Sequence, residues 1–296
     1  MITNKYGLPE AFVNFAKLDK YSKGNADISV TQLIDSPRVL LMREEHQDKL
    51  STDAMDMVFA LFGTAVHSVL EGATGKNTYK EQRINKQVNG WTLSGAIDQY
   101  EIEEDGIVIT DYKVTSVWSV IFDKQEWVDQ LNVYAFLLEK ELGIPVKTIQ
   151  ICAILRDFNR RQASLKPDYP QHPIEVLDIP LWSLEERTEY VEDRMALHQN
   201  ARQLFDQNQR IVRCNKKDRW SKDDKWAVKK KGRKTAVKVF DNQDEAEELA
   251  EEMRKVFSAK GTYVEFRQGE SSRCVGNYCG VAEFCSQFKE ENDGQG

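Results

Sequence analysis

A chain of 296 residues with 41% hydrophobic, 10% aromatic and 30% charged residues, 7 Pro and 16 Gly can bury a sizeable core, and this balance excludes a disordered, collagenous or low-complexity protein. No apolar run approaches the roughly 18 residues that a bilayer requires and the start lacks the apolar centre of a signal peptide, so a cytoplasmic protein without a membrane partner is expected. The net charge of −7 hides a segregation: Arg213 to Lys238 carries 12 Lys or Arg against 3 Asp, a net of +9 that leaves −16 for the remainder.

In chain order, residues 29 to 46 predict a helix opened by Ser29 or Thr31 as a cap, and residues 55 to 73 a second, apolar helix. Three strands follow, Thr78 to Ile84, Trp91 to Glu101 and Ile107 to Lys113, the last two joined by the acidic turn EEDG. A helix from about Ser119 to Leu142 repeats apolar positions at Trp127, Leu131, Tyr134 and Leu138 and stops before Gly143. Ile149 to Leu155 alternates as a half-buried strand, Ile174 to Leu181 is another, and Ser183 with Glu186 forms a capping box for a long helix to about Asn208. The basic segment reads as a hairpin around KKKGRK, with an acidic helix from Asn242 to Phe257 and the strand TYVEFR completing a small ββαβ unit. The whole is α/β.

Polar residues inside the strands carry the chemistry. Asp98 in SGAID and Asp111 in IVITDYK can lie side by side across a tight hairpin, and two close carboxylates in a partly buried site call for a cation such as Mg²⁺ or Mn²⁺. Lys113 shares a face with Asp111 by the two-residue period of a strand, where an ammonium can stabilise an attacked phosphate or hold a water. Gly63, one turn before His67, is read as letting a neighbouring element approach, which turns His67 to the packed side of its helix. Gln130 and Tyr134 share one face of theirs. Trp118 and Trp127 are assigned to packing, and Cys152 to a buried strand. Three thiols within twelve residues, Cys274, Cys279 and Cys285, can converge on one ion or cluster, with Cys214 as a fourth ligand.

Taken in order, GTAVH (63 to 67) with Glu71 after it, GAID (95 to 98), DYK (111 to 113), QLNVY (130 to 134) and the C-terminal cysteines resemble the PD-(D/E)XK nuclease superfamily, specifically the RecB-like exonucleases that include the iron–sulfur nucleases of CRISPR adaptation. The resemblance implies a restriction-endonuclease-like core, a mixed central sheet flanked by helices, over residues 1 to 210. The basic ββαβ unit would follow at 211 to 272, and a cysteine-rich tail packing back on the core at 273 to 296. It implies His67, Asp98, Asp111 and the Tyr112 carbonyl as ligands of Mg²⁺ or Mn²⁺, and Asp98, Asp111, Lys113, Gln130 and Tyr134 as catalytic residues. Glu81 is a metal-proximal or a surface carboxylate. Family members take a first cluster ligand from the N-terminal helix, where this chain has Ser36, so Cys214 is the substitute. The resemblance favours [4Fe–4S] over structural Zn²⁺.

The function implied is a metal-dependent deoxyribonuclease acting on DNA ends in phage or bacterial recombination or repair. Lys229, Lys230, Lys231, Arg233 and Lys234 would grip the DNA backbone. Any unwinding falls to a helicase or recombination partner, because no G-x-x-x-x-G-K-[ST] motif occurs. The alternatives are a non-catalytic DNA-binding or scaffold protein on a nuclease fold, and a structure-specific endonuclease.

Overall fold

The computed structural model describes residues 1–18, 24–73, 77–122, 124–255 and 261–293; the side chain of Glu71, the end of the predicted 242–257 helix and the last tail residues lie outside the described residues. The chain divides into two compact units, Met1–Leu41 with His46–Ile211, and Met42–Glu45 with Val212–Gly296.

In the first unit the elements are β1 (Ile2–Thr3), α1 (Glu10–Lys17), β2 (Ile28–Ser29), α2 (Val30–Ile34), α3 (Pro37–Glu45), β3 (Thr52–Asp53), α4 (Val58–Glu71), β4 (Thr78–Val88), β5 (Trp91–Glu103), β6 (Gly106–Thr115), α5 (Trp118–Ile121), α6 (Gln125–Leu142), β7 (Val146–Leu155), α7 (Arg160–Leu165), β8 (Ile174–Ile179) and α8 (Leu184–Asn208). Residues 42–45 of α3 belong with the second unit. The predicted helix over 29 to 46 is two helices. Ser29 does cap the first, in a reciprocal box with Gln32, but Asp35 is extended at ψ 169° and Pro37 starts a new helix. The cause is local: Pro37 disfavours helical backbone at Ser36, so the first helix ends before that residue. The helix expected from Ser119 is likewise split into α5 and α6, with Phe122 extended between them.

The central sheet is mixed, in the order β2-β5-β6-β7-β8 with β4 also on β5. β5 and β6 are antiparallel, β6 and β7 parallel, and β7 and β8 antiparallel. Helices α2, α6 and α8 cover it, and its core joins Leu33, Leu93, Ile97, Ile109, Leu131, Leu137, Ile151 and Met195. Gly95 is what lets α6 lie close to β5: a Cβ there would meet Leu137 Cδ1 at 2.6 Å and Tyr134 Cδ1 at 3.2 Å. Gly106 closes the β5–β6 turn at φ +146°, where a Cβ would come within 2.7 Å of the Pro145 carbonyl. That turn pairs Glu103 with Gly106, and so brings Asp98 level with Asp111.

The second unit contains β9 (Lys225–Lys230), β10 (Lys238–Phe240), α9 (Gln243–Lys255), β11 (Thr262–Arg267), α10 (Ser272–Val275) and α11 (Ser286–Asp293). The expected ββαβ order is present as an antiparallel sheet β10-β9-β11. Alternate residues Trp226 and Val228 turn to α9, where Val228, Ala246 and Ala250 are fully buried. Among the described residues no helix is long and apolar enough to cross a membrane.

Candidate functional site

The β5–β6 ladder ends at Gln99 opposite Thr110, while the other end of β5 pairs with β2 at Leu93 and Ser94. The strands part just where Asp98 and Asp111 sit. In the opening the Asp98 carboxylate accepts the N–H of Tyr112 at 2.9 Å, and Asp111, only 2% exposed, lies 2.6 Å from Lys113 Nζ. α4 packs on β6 and brings His67, whose Nε2 is 3.2 Å from the Tyr112 carbonyl and whose Nδ1 is 3.5 Å from both Asp98 and Glu81. Lys80 fastens the C-terminal end of α4 by donating to the carbonyls of Leu70 and Ala73.

Among the described residues, His67, Glu81 and Asp98 are the one trio of His, Cys, Asp or Glu whose ligand atoms all lie within 4.8 Å of one another. A cavity of about 10 Å³ between them, walled also by Leu70, Lys80 and Tyr112, matches one water-sized sphere. Two carboxylates meeting at the Nδ1 edge of an imidazole form a donor set that fits Mg²⁺ or Mn²⁺, while the Tyr112 carbonyl lies at the other ring nitrogen. Glu81, weighed in the sequence as either metal-proximal or superficial, is thus in the trio, and Asp111 is not. Asp111 lies instead against the Lys113 ammonium.

Burial, and then the charge of Asp111, push the Asp98 carboxyl up to about 7. Burial disfavours the Lys113 ammonium, but Asp111, Asp98 and Glu126 outweigh it and raise its pKa. Beside Lys113 opens a cavity of about 250 Å³ bordered by Thr31, Asp35, Glu126, Trp127 and Gln130. Gln130 faces this cavity and donates to the Tyr134 hydroxyl at 2.9 Å; Tyr134 itself is 5% exposed, in the core. The packing role expected of Gly63 is corrected: a Cβ there meets nothing within 4 Å, and His67 is partly open to solvent. Trp127 is buried as expected, but Trp118 is 62% exposed, because the break at Phe122 detaches its short helix from the α6 face.

In the second unit Lys229 pairs with Glu265 at 2.9 Å, whereas Lys230, Lys231, Arg233 and Lys234 are exposed around the hairpin. Cys214, Cys274, Cys279 and Cys285 all belong to this unit and none is disulfide-bonded. Gln287 brackets the backbone of Cys214, accepting its N–H at 2.8 Å and donating to its carbonyl at 3.0 Å. Burial, then the neighbouring thiols of Cys279 and Cys285, raise the Cys274 pKa. No three of these sulfurs lie within 4.8 Å of one another, wider than the roughly 3.8 Å that a Zn–S bond of about 2.3 Å gives in a tetrahedron. The tail is tied to residues 213–221 by polar contacts: Arg273 to the Asp218 carbonyl, Ser272 to the Trp220 carbonyl, and Arg213 and Arg219 to Glu290 and Glu291. Cys152 is half-buried in β7.

Residues 219–258 match the family described as "Uncharacterized protein conserved in bacteria (DUF2188)", a span that takes in the basic hairpin and α9. No curated protein matches the chain. A solved structure described as "Crystal structure of SSO0001" is similar at 17% identity and a TM-score of 0.42, over 64% of this chain and 82% of that one.

Proposed function

We propose that the chain is a metal-dependent deoxyribonuclease of the PD-(D/E)XK, RecB-like type that works on DNA ends. The observation that carries this reading is the meeting of His67, Glu81 and Asp98 around an ion-sized space, with the Asp111–Lys113 pair on the adjoining strand. A divalent ion held by His67, Glu81 and Asp98 would make water acidic enough to attack and would offset the charge of the phosphodiester, while the Tyr112 carbonyl steadies the other nitrogen of the His67 ring. Lys113 keeps its proton and presents a positive charge to the phosphate, while Asp111 holds that ammonium in place. Asp98, with its Tyr112 hydrogen bond, fixes the spacing between the two strands. Gln130, on the wall of the larger cavity, offers an amide to the nucleotide next to the cleaved bond. The lysines of the hairpin would hold the backbone without regard to sequence. The four cysteines would carry a [4Fe–4S] cluster, whose sulfurs stand further apart than those of zinc.

The test is incubation with end-labelled single- and double-stranded DNA and a covalently closed circle, in Mg²⁺, Mn²⁺ or chelator. Loss of the linear forms alone, only with metal, is expected. Intact substrates under every condition would leave a DNA-binding protein without catalysis.

A further inference from the structure

Around the end of β6, a few residues past Lys113, the first unit exposes aromatic rings that its core does not use. Trp118 and Phe122 are 62% and 65% exposed, yet their rings stack on each other at 5.8 Å and an interplanar angle of 11°. Phe59 and Phe62 on α4 are 51% and 44% exposed and meet edge to face at 6.4 Å. The guanidinium of Arg156 lies 4.0 Å over the Phe59 ring. Two hydrogen bonds join the segments that carry them: Arg156 N–H donates to the Thr115 carbonyl at 3.0 Å, and the Asp157 carboxylate accepts the Val117 N–H at 2.8 Å. Asn159 then caps α7, which begins with Arg160 and Arg161. From Arg156 to Lys166 there are four Lys or Arg against one Asp, all four exposed and with no ion pair among the described residues. Phe59 lies eight residues before His67 on the same helix, a rise of about 12 Å.

Exposed aromatic rings beside guanidinium groups that have no carboxylate partner suit one ligand chemistry, a flexible polyanion with free π-faces. A single nucleic-acid strand has both, while a duplex hides its base faces within its own stack. We infer that this rim is a track for single-stranded DNA, with Trp118 and Phe122 as the stacking platform and Arg156, Arg160 and Arg161 as phosphate contacts, leading a strand end to the His67–Glu81–Asp98 site. The inference rests on the nuclease reading for its choice of DNA. The track lies wholly within the first unit and makes the frayed or single-stranded end the substrate.

The full chain is titrated in chelator against a fluorescein-labelled oligothymidylate and a blunt hairpin duplex, with anisotropy as the readout. Trp118→Ala combined with Phe122→Ala should weaken single-strand binding about tenfold or more and leave duplex binding unchanged, with Trp118→Phe restoring most of the loss. Arg156→Gln, Arg160→Gln and Arg161→Gln together should flatten the salt slope by roughly 0.7 for each phosphate left without its arginine. Because these side chains are exposed, thermal melts should match wild type. Single-strand affinity equal to wild type in the aromatic variant would overturn the track even if Mn²⁺-dependent cleavage is seen. Loss of binding in a protein that never cleaves would sustain the track and remove the nuclease reading.

Discussion

Glu81 stands opposite Asp98 between the paired rungs Lys80–Gln99 and Gln82–Ile97 of the β4–β5 ladder, and its backbone is left-handed at φ +48°. A glutamate in that conformation costs on the order of 1 kcal/mol or more, and the conformation aims its carboxylate at His67 rather than along the strand.

Glu81→Gly should therefore stabilise the metal-free protein by about 1 kcal/mol while weakening Mn²⁺ binding, and Glu81→Gln should weaken binding without the gain in stability. Calorimetric titration with Mn²⁺ and denaturant melts of both variants check this. Wild-type Mn²⁺ affinity in Glu81→Gln would remove Glu81 from the ligand set.

Asp98→Ala, Asp111→Ala and Lys113→Ala should each abolish DNA cleavage while leaving most DNA affinity in place. Turnover near wild type in purified Asp111→Ala would refute the assignment of the Asp111–Lys113 pair.

The Asp98 carboxyl, raised to about 7 from 3.8, favours the protonated form in the folded, metal-free protein. Its contribution to stability is thus full below pH 3.8 and is lost as the pH climbs toward about 7. Asp98→Asn should gain stability relative to wild type as pH rises across that window. Mn²⁺ binding near pH 6 should release a proton, seen as a buffer-dependent heat in calorimetry, and the apparent affinity should fall up to about tenfold per pH unit below about 7. A buffer-independent heat would contradict this.

Replacing Lys230, Lys231, Arg233 and Lys234 by Glu should weaken DNA binding and reduce the log–log salt slope by roughly 0.7 to 0.9 for each phosphate that is no longer neutralised. Lys229 is already engaged by Glu265, so Lys229→Glu alone should do less than any of these four. Binding measured across a salt series decides it.

Anaerobically purified protein should be brown and contain iron bound through Cys214, Cys274, Cys279 and Cys285. Replacing any one by Ser should bleach it and loosen the tail, measured as faster proteolysis of residues 273 onward. A colourless protein with neither iron nor zinc by elemental analysis, and thiols that alkylate freely, would dispose of the centre.

Much of this arrangement is legible in the sequence because it rests on short-range rules. Ser183 with Glu186 closes its capping box, Gly143 ends α6 in a left-handed turn, and the two-residue period sets Lys113 beside Asp111. What is not legible depends on where chain segments end up. Ser36–Pro37 breaks a helix that the apolar pattern carries straight through, although the proline itself is the available signal. Trp118 reads as core because an aromatic residue before an amphipathic helix is commonly buried, and nothing local announces the extended Phe122. Glu81 joins the trio through a strand backbone twisted into a conformation that glutamate rarely adopts, which no propensity foretells.

His67 rides on a helix that has little else to hold it. From Val58 to Leu70 every residue of α4 is exposed or only half-buried, and its first turn has no side-chain cap. A helix with so few packed side chains sits at the low end of local stability, with Lys80 clasping one end. A ligand engaging His67 together with Glu81 and Asp98 would stitch that helix to two strands at once. Occupancy of the trio would then be felt along the whole helix as slower amide exchange, so that seating an ion and ordering α4 become a single event.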